Sequence, residues 1–182
     1  MKRAIVTPPV LSSAALSDLK QWLGITTAQD DAVLTGLLRA GLDTCEAFTG
    51  SMPVRAICEE VLPLSSGWQK LSTRPVQEIT GVAAILAGGT RSALPLGAYA
   101  IDLDADGGGR VMVMAPGAAV RLAVQFAAGL AADWESLPEA LRHGLLRLAA
   151  HQHREREGPG AAALPPASVA ALWRPWRRMH LA

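Results

Sequence analysis

The sequence Val120-Arg121-Leu122-Ala123-Val124-Gln125-Phe126 (residues 120–126) sets two polar residues, four positions apart, within an apolar run. This arrangement predicts a β-strand whose polar side chains mark a solvated face, and residues 111–114 alternate in a similar way. From Met52 to about Ala127, short runs of Val, Ile and Leu are separated by Pro and Gly, which is typical of an antiparallel β region. The predicted strands lie near residues 54–62, 76–86, 98–103, 110–114 and 119–126.

Helical spacing precedes this β region. Leucines and Trp22 recur at helical intervals up to Gly24, which predicts a short first helix that ends in a left-handed residue. The acidic pair Asp30-Asp31 then favours the start of a long second helix, which ends at Gly50. The apolar stripe of that second helix consists of Leu34, Leu38, Gly41, Cys45 and Phe48.

A third helix follows the β region. Ser136-Leu137-Pro138-Glu139 has the form of a capping box with proline in the first turn, and the helix is predicted to continue to about Glu157. Its buried stripe consists of Leu137, Leu141, Leu145 and Leu148. Gly158-Pro159-Gly160 ends the helix, and a linker of small residues leads to a short helix from about Ser168 to Trp173. We therefore predict an α+β fold: a mainly helical domain at residues 1–157, with an inserted antiparallel β region at about 52–127, and a linker and docking arm at 158–182.

The closing segment Leu172-Trp173-Arg174-Pro175-Trp176-Arg177-Arg178 interleaves tryptophan with arginine. Both residue types are frequent in the energetic centres of protein interfaces. The segment is too short to bury two indole rings within itself, so it is predicted to contact a partner through Leu172, Trp173, Arg174, Trp176, Arg177 and Arg178. The alternative is that the segment folds back and buries both rings in its own domain.

Composition and charge restrict the class of protein. The chain has 182 residues, 50% hydrophobic content and a formal net charge of +1, which argues against a protein whose main role is to coat nucleic acid. From Leu137 onward, however, seven arginines face three acidic residues, so the two parts of the chain differ in charge. No apolar run is long enough to span a membrane, and no signal-peptide pattern is present, so a cytoplasmic origin is predicted.

The candidates for chemistry are weak. Residues 102–107, Asp-Leu-Asp-Ala-Asp-Gly, match the opening of a calcium-binding loop, but the twelfth position is Val113, so a hairpin turn is predicted. His151 and His153 are two apart on a helix and point away from each other, which excludes a shared metal ion. Cys45 and Cys58 are predicted to fill the core. No cofactor, metal site or catalytic residue is predicted, and the protein is expected not to be an enzyme.

Several segments together resemble the head-tail connector (adaptor) proteins of long-tailed phages. They are Leu16-Ser17-Asp18-Leu19-Lys20-Gln21-Trp22-Leu23-Gly24-Ile25, then Asp30-Asp31, Glu46-Ala47-Phe48-Thr49-Gly50, the helix from Leu137 to Glu157, and Leu172-Trp173-Arg174-Pro175-Trp176-Arg177. The β region is longer than in the compact helical versions of this family, which an insertion would explain. The high Ala, Gly and Arg content is similar to that of a gene transfer agent, a phage-derived particle encoded in some bacterial chromosomes.

The resemblance implies a structural protein that forms a homo-oligomeric ring, expected to be dodecameric. The implied partners are the portal protein, a tail-side connector or stopper protein, and the double-stranded DNA that passes through the channel, with no membrane. The implied location is the bacterial cytoplasm during assembly and then the head-tail junction. Two rivals remain from the residues alone: a nucleic-acid-binding module that uses Arg142, Arg147, Arg154 and the tail arginines, and a small enzyme or metal-binding protein built on the turn at residues 102–106.

Overall fold

The structure, a computed structural model, describes residues 2–155 and 165–177. Four α-helices are present in that part: α1 (Ser13–Leu23), α2 (Asp31–Thr49), α3 (Glu139–Arg154) and α4 (Ala167–Trp173). The strands are β1 (Lys2–Thr7), β2 (Ala56–Pro63), β3 (Gln69–Lys70), β4 (Val76–Ile85), β5 (Arg91–Ala93), β6 (Tyr99–Leu103), β7 (Gly109–Val113) and β8 (Arg121–Ala128). The fold is α+β with antiparallel sheets, as predicted.

The chain divides into two compact units. The sheet unit contains the N-terminal residues up to Pro9 together with Arg55–Gly129, and the helical unit contains Val10–Val54 and the chain from Leu130 onward. The first strand therefore belongs with the β region although α1 and α2 separate the two in sequence.

The sheet unit has two sheets, in the strand orders β1-β2-β8-β4-β5 and β3-β7-β6. Strand β8, which contains residues 121–126, lies at the centre of the larger sheet and pairs with β2 and β4 in antiparallel register. Arg121 and Gln125 are exposed, as predicted, whereas the other six residues of β8 are buried. Alanines at 123, 127 and 128 explain this burial, because small side chains are covered easily on either face of a central strand.

A buried carboxylate links β2 to the segment before β4. The Glu60 side chain is 0% exposed, and its Oε1 accepts hydrogen bonds from Ser72 Oγ (2.8 Å), Thr73 N (2.8 Å) and Thr73 Oγ1 (2.7 Å). Its Oε2 accepts from Ser72 N at 2.9 Å. Four donors thus replace the water that the charged group loses on burial.

The helical unit packs one core from all four of its helices. Helices α1 and α2 end at Gly24 and Gly50, both with φ of 71°, as predicted. The predicted stripe is also confirmed, because Leu141, Leu145 and Leu148 of α3 are buried, as is Leu137 just before the helix. The fully buried members of this core include Leu19, Leu34, Leu38, Cys45, Trp134, Leu141, Leu145 and Trp173.

The start of α3 differs from the prediction. The helix begins at Glu139 and has no side-chain cap, so the capping-box prediction was wrong. Ser136 instead pairs with Asp133: its backbone N–H donates to Asp133 Oδ1 at 2.8 Å, and its hydroxyl lies 2.6 Å from the same oxygen. The Ser136 hydroxyl therefore bonds to Asp133 and does not cap the helix. The hydrogen bonds from Ser136 lower the pKa of the Asp133 carboxyl group.

Candidate assembly interface

The predicted contact residues lie on α4 and on the single 3-10 turn Arg174–Trp176 that follows it. Arg174 and Arg177 are exposed, Leu172 and Trp176 are half-buried, and Trp173 is 0% exposed. Arg178 lies outside the described residues. The five predicted residues that the structure describes therefore differ in exposure.

Trp173 is a core residue of the helical unit. Its indole N–H donates to the Leu141 carbonyl at 3.3 Å, and its ring lies 6.1 Å from the ring of Phe48. The ring also covers Gly144 so closely that a Cβ at that position would lie 2.9 Å from two of its ring carbons and closer still to Nε1. Trp173 therefore follows the alternative prediction, in which the C-terminal segment folds back and buries its ring in its own domain. The indole fits there because residue 144 of α3 is a glycine.

The turn after α4 presents a basic surface above this core. The Arg177 guanidinium lies 5.3 Å from the centre of the Phe48 ring, a cation–π contact, and the Arg177 N–H donates to the Arg174 carbonyl at 3.0 Å. Trp176 packs against the edge of the same core. The described segment can therefore bind a partner through Arg174, Trp176 and Arg177 without unpacking Trp173.

The arginines of α3 have different environments. Arg142 forms an ion pair with Glu139, whereas Arg147 and Arg154 are exposed and have no ion pair within residues 2–155 and 165–177. The latter two border a groove of about 400 Å³, which we call the basic groove. The groove is lined by Trp22, Arg147, Ala150, His151, Arg154, Pro166, Ser168 and Val169. Sequence analysis missed it because three separate segments form it.

The histidines of α3 have individual contacts. His151 Nε2 lies 3.0 Å from Glu155 Oε2, and the His143 ring meets the edge of Trp22 with ring centres 5.2 Å apart. Both contacts connect side chains on or beside the basic groove. Among the residues that the structure describes, no group of three His, Cys, Asp or Glu side chains could hold a metal ion.

The predicted hairpin turn is present: Asp102 and Leu103 end β6, and residues 104–108 connect it to β7. Asp104 Oδ1 accepts a hydrogen bond from Gly108 N at 2.7 Å, and this contact, together with Arg74 and Arg110, lowers the pKa of the Asp104 carboxyl group. Arg110 also forms an ion pair with Asp102. The turn is therefore internally hydrogen-bonded, and arginine side chains lie beside the carboxylates of Asp102 and Asp104.

Cys45 and Cys58 are both buried, which confirms that they fill the core. Burial, followed by the charge of Glu46, raises the pKa of the Cys45 thiol to about 12. The thiolate form that nucleophilic chemistry requires is thus scarce at neutral pH.

An apolar groove of about 480 Å³ lies on the sheet unit. Its lining consists of Leu64, Ser65, Ser66, Met112, Val113, Met114 and Pro116. Leu64 and Met114 are exposed.

In the described parts of the chain, no helix is both long and apolar enough to cross a membrane.

Several chains in solved structures have the same fold as this protein. A chain in the neck of an empty gene transfer agent particle, computed with C6 symmetry, matches with a TM-score of 0.78 at 24% identity. Chains in the neck of a native particle, computed with C12 symmetry, and in the virion of a native particle match with TM-scores of 0.76 and 0.74, both at 25% identity. Each match covers 100% of this chain and 98% of the other. No protein-family model matches the sequence, and no curated protein is significantly similar to it.

The matches include the β region, because they cover 100% of this chain and 98% of the other. They confirm the resemblance to an adaptor-like protein of a gene transfer agent that the sequence motifs indicated.

Proposed function

We propose that this protein is a structural component of the neck of a phage-like particle, namely its head-tail adaptor. Twelve copies form a ring between the portal and the tail-side connector or stopper, and the ring extends the channel for double-stranded DNA. The role is structural and involves no chemical turnover. The observation that supports this proposal is the full-length match to chains of gene transfer agent necks, one of them computed with C12 symmetry.

The proposed portal contact is the surface around α4. Arg174, Trp176 and Arg177 form its accessible part, and Arg178 follows them in the sequence. Leu172 and Trp173 serve this contact indirectly, because they attach α4 to the core and so fix the direction of the next turn. Arginine suits this position, since its guanidinium forms bidentate pairs with carboxylates of a partner.

The test is cryo-electron microscopy of particles purified from the native source, with immunoblotting for this chain. The wild-type chain is expected as a ring at the head-tail junction, with Arg174 and Arg177 against the portal. A double variant, Arg174→Glu/Arg177→Glu, is expected to lose most of its incorporation because both charges of the contact are reversed. Arg39→Glu, on an exposed site of α2, is the matched control and should be incorporated normally.

Two results would overturn the proposal in different ways. Absence of the wild-type chain from the particle would refute the neck role. Normal incorporation of the double variant would refute this portal contact while leaving the neck role in place.

The nucleic-acid-binding module is the second candidate, and it is favoured by Arg147 and Arg154, which are exposed and have no ion pair in the described part of the chain. Binding through phosphate contacts would weaken steeply with salt concentration. A titration of duplex DNA at two salt concentrations therefore separates this candidate from a purely structural role.

A further inference from the structure

The two sheets of the sheet unit have four edge strands: β1 and β5 in the larger sheet, and β3 and β6 in the smaller one. Strands β3 and β5 have only two and three residues, and very short edge strands are poor templates for pairing with another chain. Strand β6 has five residues without Lys, Arg or Pro, and its one charged side chain, Asp102, is paired with Arg110. Strands β1 and β6 are therefore the two long edges of this unit.

The hydrogen bonds at the two ends of the β6–β7 pair show which way the backbone of β6 faces. Met114 N donates to the Ala98 carbonyl at 2.8 Å, and Asp104 N donates to the Gly108 carbonyl at 2.9 Å. The register between these two pairs has no irregularity. Because bonded and non-bonded pairs alternate along an antiparallel ladder, every second residue of β6 is bonded to β7.

The residues between them, Tyr99, Ile101 and Leu103, direct their N–H and C=O groups away from β7, toward the edge of the sheet. The opposite strand agrees with this assignment: the carbonyl of Gly109, which faces Leu103, accepts a hydrogen bond from Leu71 N at 2.9 Å, on the far side of β7. In residues 2–155 and 165–177, no further strand pairs with this edge of β6. Three residues thus present backbone donors and acceptors for an added strand.

The same edge also exposes apolar side chains. Ile101 is 46% exposed and Leu103 is 41% exposed, although their cross-strand partners Val111 and Gly109 are buried. The buried face of the smaller sheet therefore continues to side chains that its own strands leave half uncovered. A strand added beside β6 would extend both the hydrogen-bonded ladder and this apolar face, which is the combination that peptide-binding sheet edges use.

The proposed ring indicates which strand is added. Pairing of β6 with β6 of another copy would be isologous and would stop at a dimer, whereas a ring requires each contact to join two different surfaces. Of the three other edges, only β1, with six residues, matches β6 in length. Its pairing with β2 is regular over residues 2–5, before an irregularity between Ile5 and Thr7. Ile5 and Val6 are 43% and 50% exposed, so β1 also has uncovered apolar side chains.

We propose that β6 of one copy pairs with β1 of the neighbouring copy, so that sheets of adjacent copies are joined by backbone hydrogen bonds. The outward N–H and C=O groups of Tyr99, Ile101 and Leu103 bond to the backbone of β1, and the apolar side chains of the two strands cover each other. Every copy provides one β1 and one β6, so the contact repeats around a closed ring. This inference rests on the proposed ring function and identifies the surfaces by which copies recognise each other.

Cysteine cross-linking in particles tests which edges meet. Leu103→Cys lies on β6 and Ala4→Cys lies on β1, and both positions are exposed, while the native cysteines are buried. The double variant is produced in the native source, and purified particles are treated with a short bismaleimide. Multimers larger than dimers are expected, because each link joins β6 of one copy to β1 of the next. Leu103→Cys with Ser92→Cys, an exposed position on β5, is the control and should give no such ladder.

A proline substitution then tests the backbone contact. Ile101→Pro removes an N–H that points away from β7, so the pairing of β6 with β7 keeps its hydrogen bonds. In the cross-linking background, this change is expected to reduce the ladder at least about tenfold per incorporated chain, because it leaves a carbonyl of β1 unsatisfied. Ile101→Val keeps the N–H and a β-branched apolar side chain, and it should reduce the ladder far less.

Circular dichroism of the purified variants checks that the fold survives the proline. If it does not, the ladder from Leu103→Cys and Ala4→Cys, measured against the Ser92→Cys control, decides alone. A ladder that is specific to β1 and that proline reduces supports the inference. Incorporation without a ladder, an equal ladder from β5, or a ladder that a folded Ile101→Pro chain retains overturns it and leaves the neck role intact. Absence of the wild-type chain from particles refutes the proposed function itself.

Discussion

The contact between Gly144 and Trp173 predicts an unusual response to an alanine substitution. A glycine in the middle of a helix normally lowers stability by about 1 kcal/mol relative to alanine, so Gly→Ala should stabilise the protein. At Gly144, however, the new Cβ would overlap the indole of Trp173, a rigid ring buried in a close-packed core. The ring cannot stay where it is, and α4 must move with it.

The magnitude follows from what the movement exposes. Loss of a buried aromatic side chain lowers the free energy of unfolding by about 3–5 kcal/mol, and the higher helix propensity of alanine offsets about 1 kcal/mol of this. Gly144→Ala is therefore expected to lower the free energy of unfolding by about 2–4 kcal/mol. Gly36→Ala is the matched control: Gly36 is interior to α2, and a Cβ there meets no atom within 4 Å. This change should raise stability by about 0.5–1 kcal/mol.

Urea unfolding followed by circular dichroism at 222 nm measures both variants. A second-site variant, Trp173→Leu in the Gly144→Ala background, removes the overlapping ring and should recover part of the loss. If Gly144→Ala stabilised the protein as Gly36→Ala does, the buried position of Trp173 against α3 would be refuted.

Two other predictions concern buried ionisable groups. Glu60→Gln is expected to lower the free energy of unfolding by about 2–4 kcal/mol, because an amide N–H₂ would face donors that now bind a carboxylate. The control is Glu59→Gln, which loses only an ion pair with the exposed Arg91 and should lower it by less than about 1 kcal/mol. Equal losses of the two variants in thermal unfolding would contradict the reasoning. Cys45 is expected to resist a thiol reagent at pH 8 in the folded protein, because its pKa of about 12 leaves almost no thiolate. In denaturant the same thiol should react at once. Rapid labelling of Cys45 in the folded chain would contradict its burial.

Local patterns in the sequence predicted the regular elements well. The α2 helix and the strands β2, β4, β6, β7 and β8 were predicted to within about two residues, because their periodicity reflects burial on one face. Strands β3 and β5 have two and three residues, which is too short for a period to be visible. Strand β1 was missed for another reason: it pairs with β2, fifty or more residues away in the sequence, and only that long-range pairing makes it a strand.

The exposure of the candidate interface residues was harder to predict, because it depends on contacts with residues far away in the sequence. Nothing near Trp173 in the sequence shows that Gly144 provides the space in which it is buried. Likewise, the Ser136 hydroxyl could cap α3 or pair with Asp133, and only the folded chain shows that it pairs with Asp133. Motif resemblance succeeded where physical pattern did not, since it recognised several segments together and so pointed to the fold that the neck structures share.

The C-terminal segment was predicted to contact a partner through its tryptophans and arginines together, and the structure buries Trp173 in the core. Trp173 packs in the core and cannot contact a partner while it is buried, so the proposed portal contact depends on the exposed Arg174 and Arg177. In the proposed ring of identical copies, each contact surface must keep one orientation, because small misalignments would add up from copy to copy and prevent closure. Burial of Trp173 against Gly144 holds α4 in place, and with it the direction of Arg174, which we propose to contact the portal. For this reason Gly144→Ala should impair assembly as well as stability.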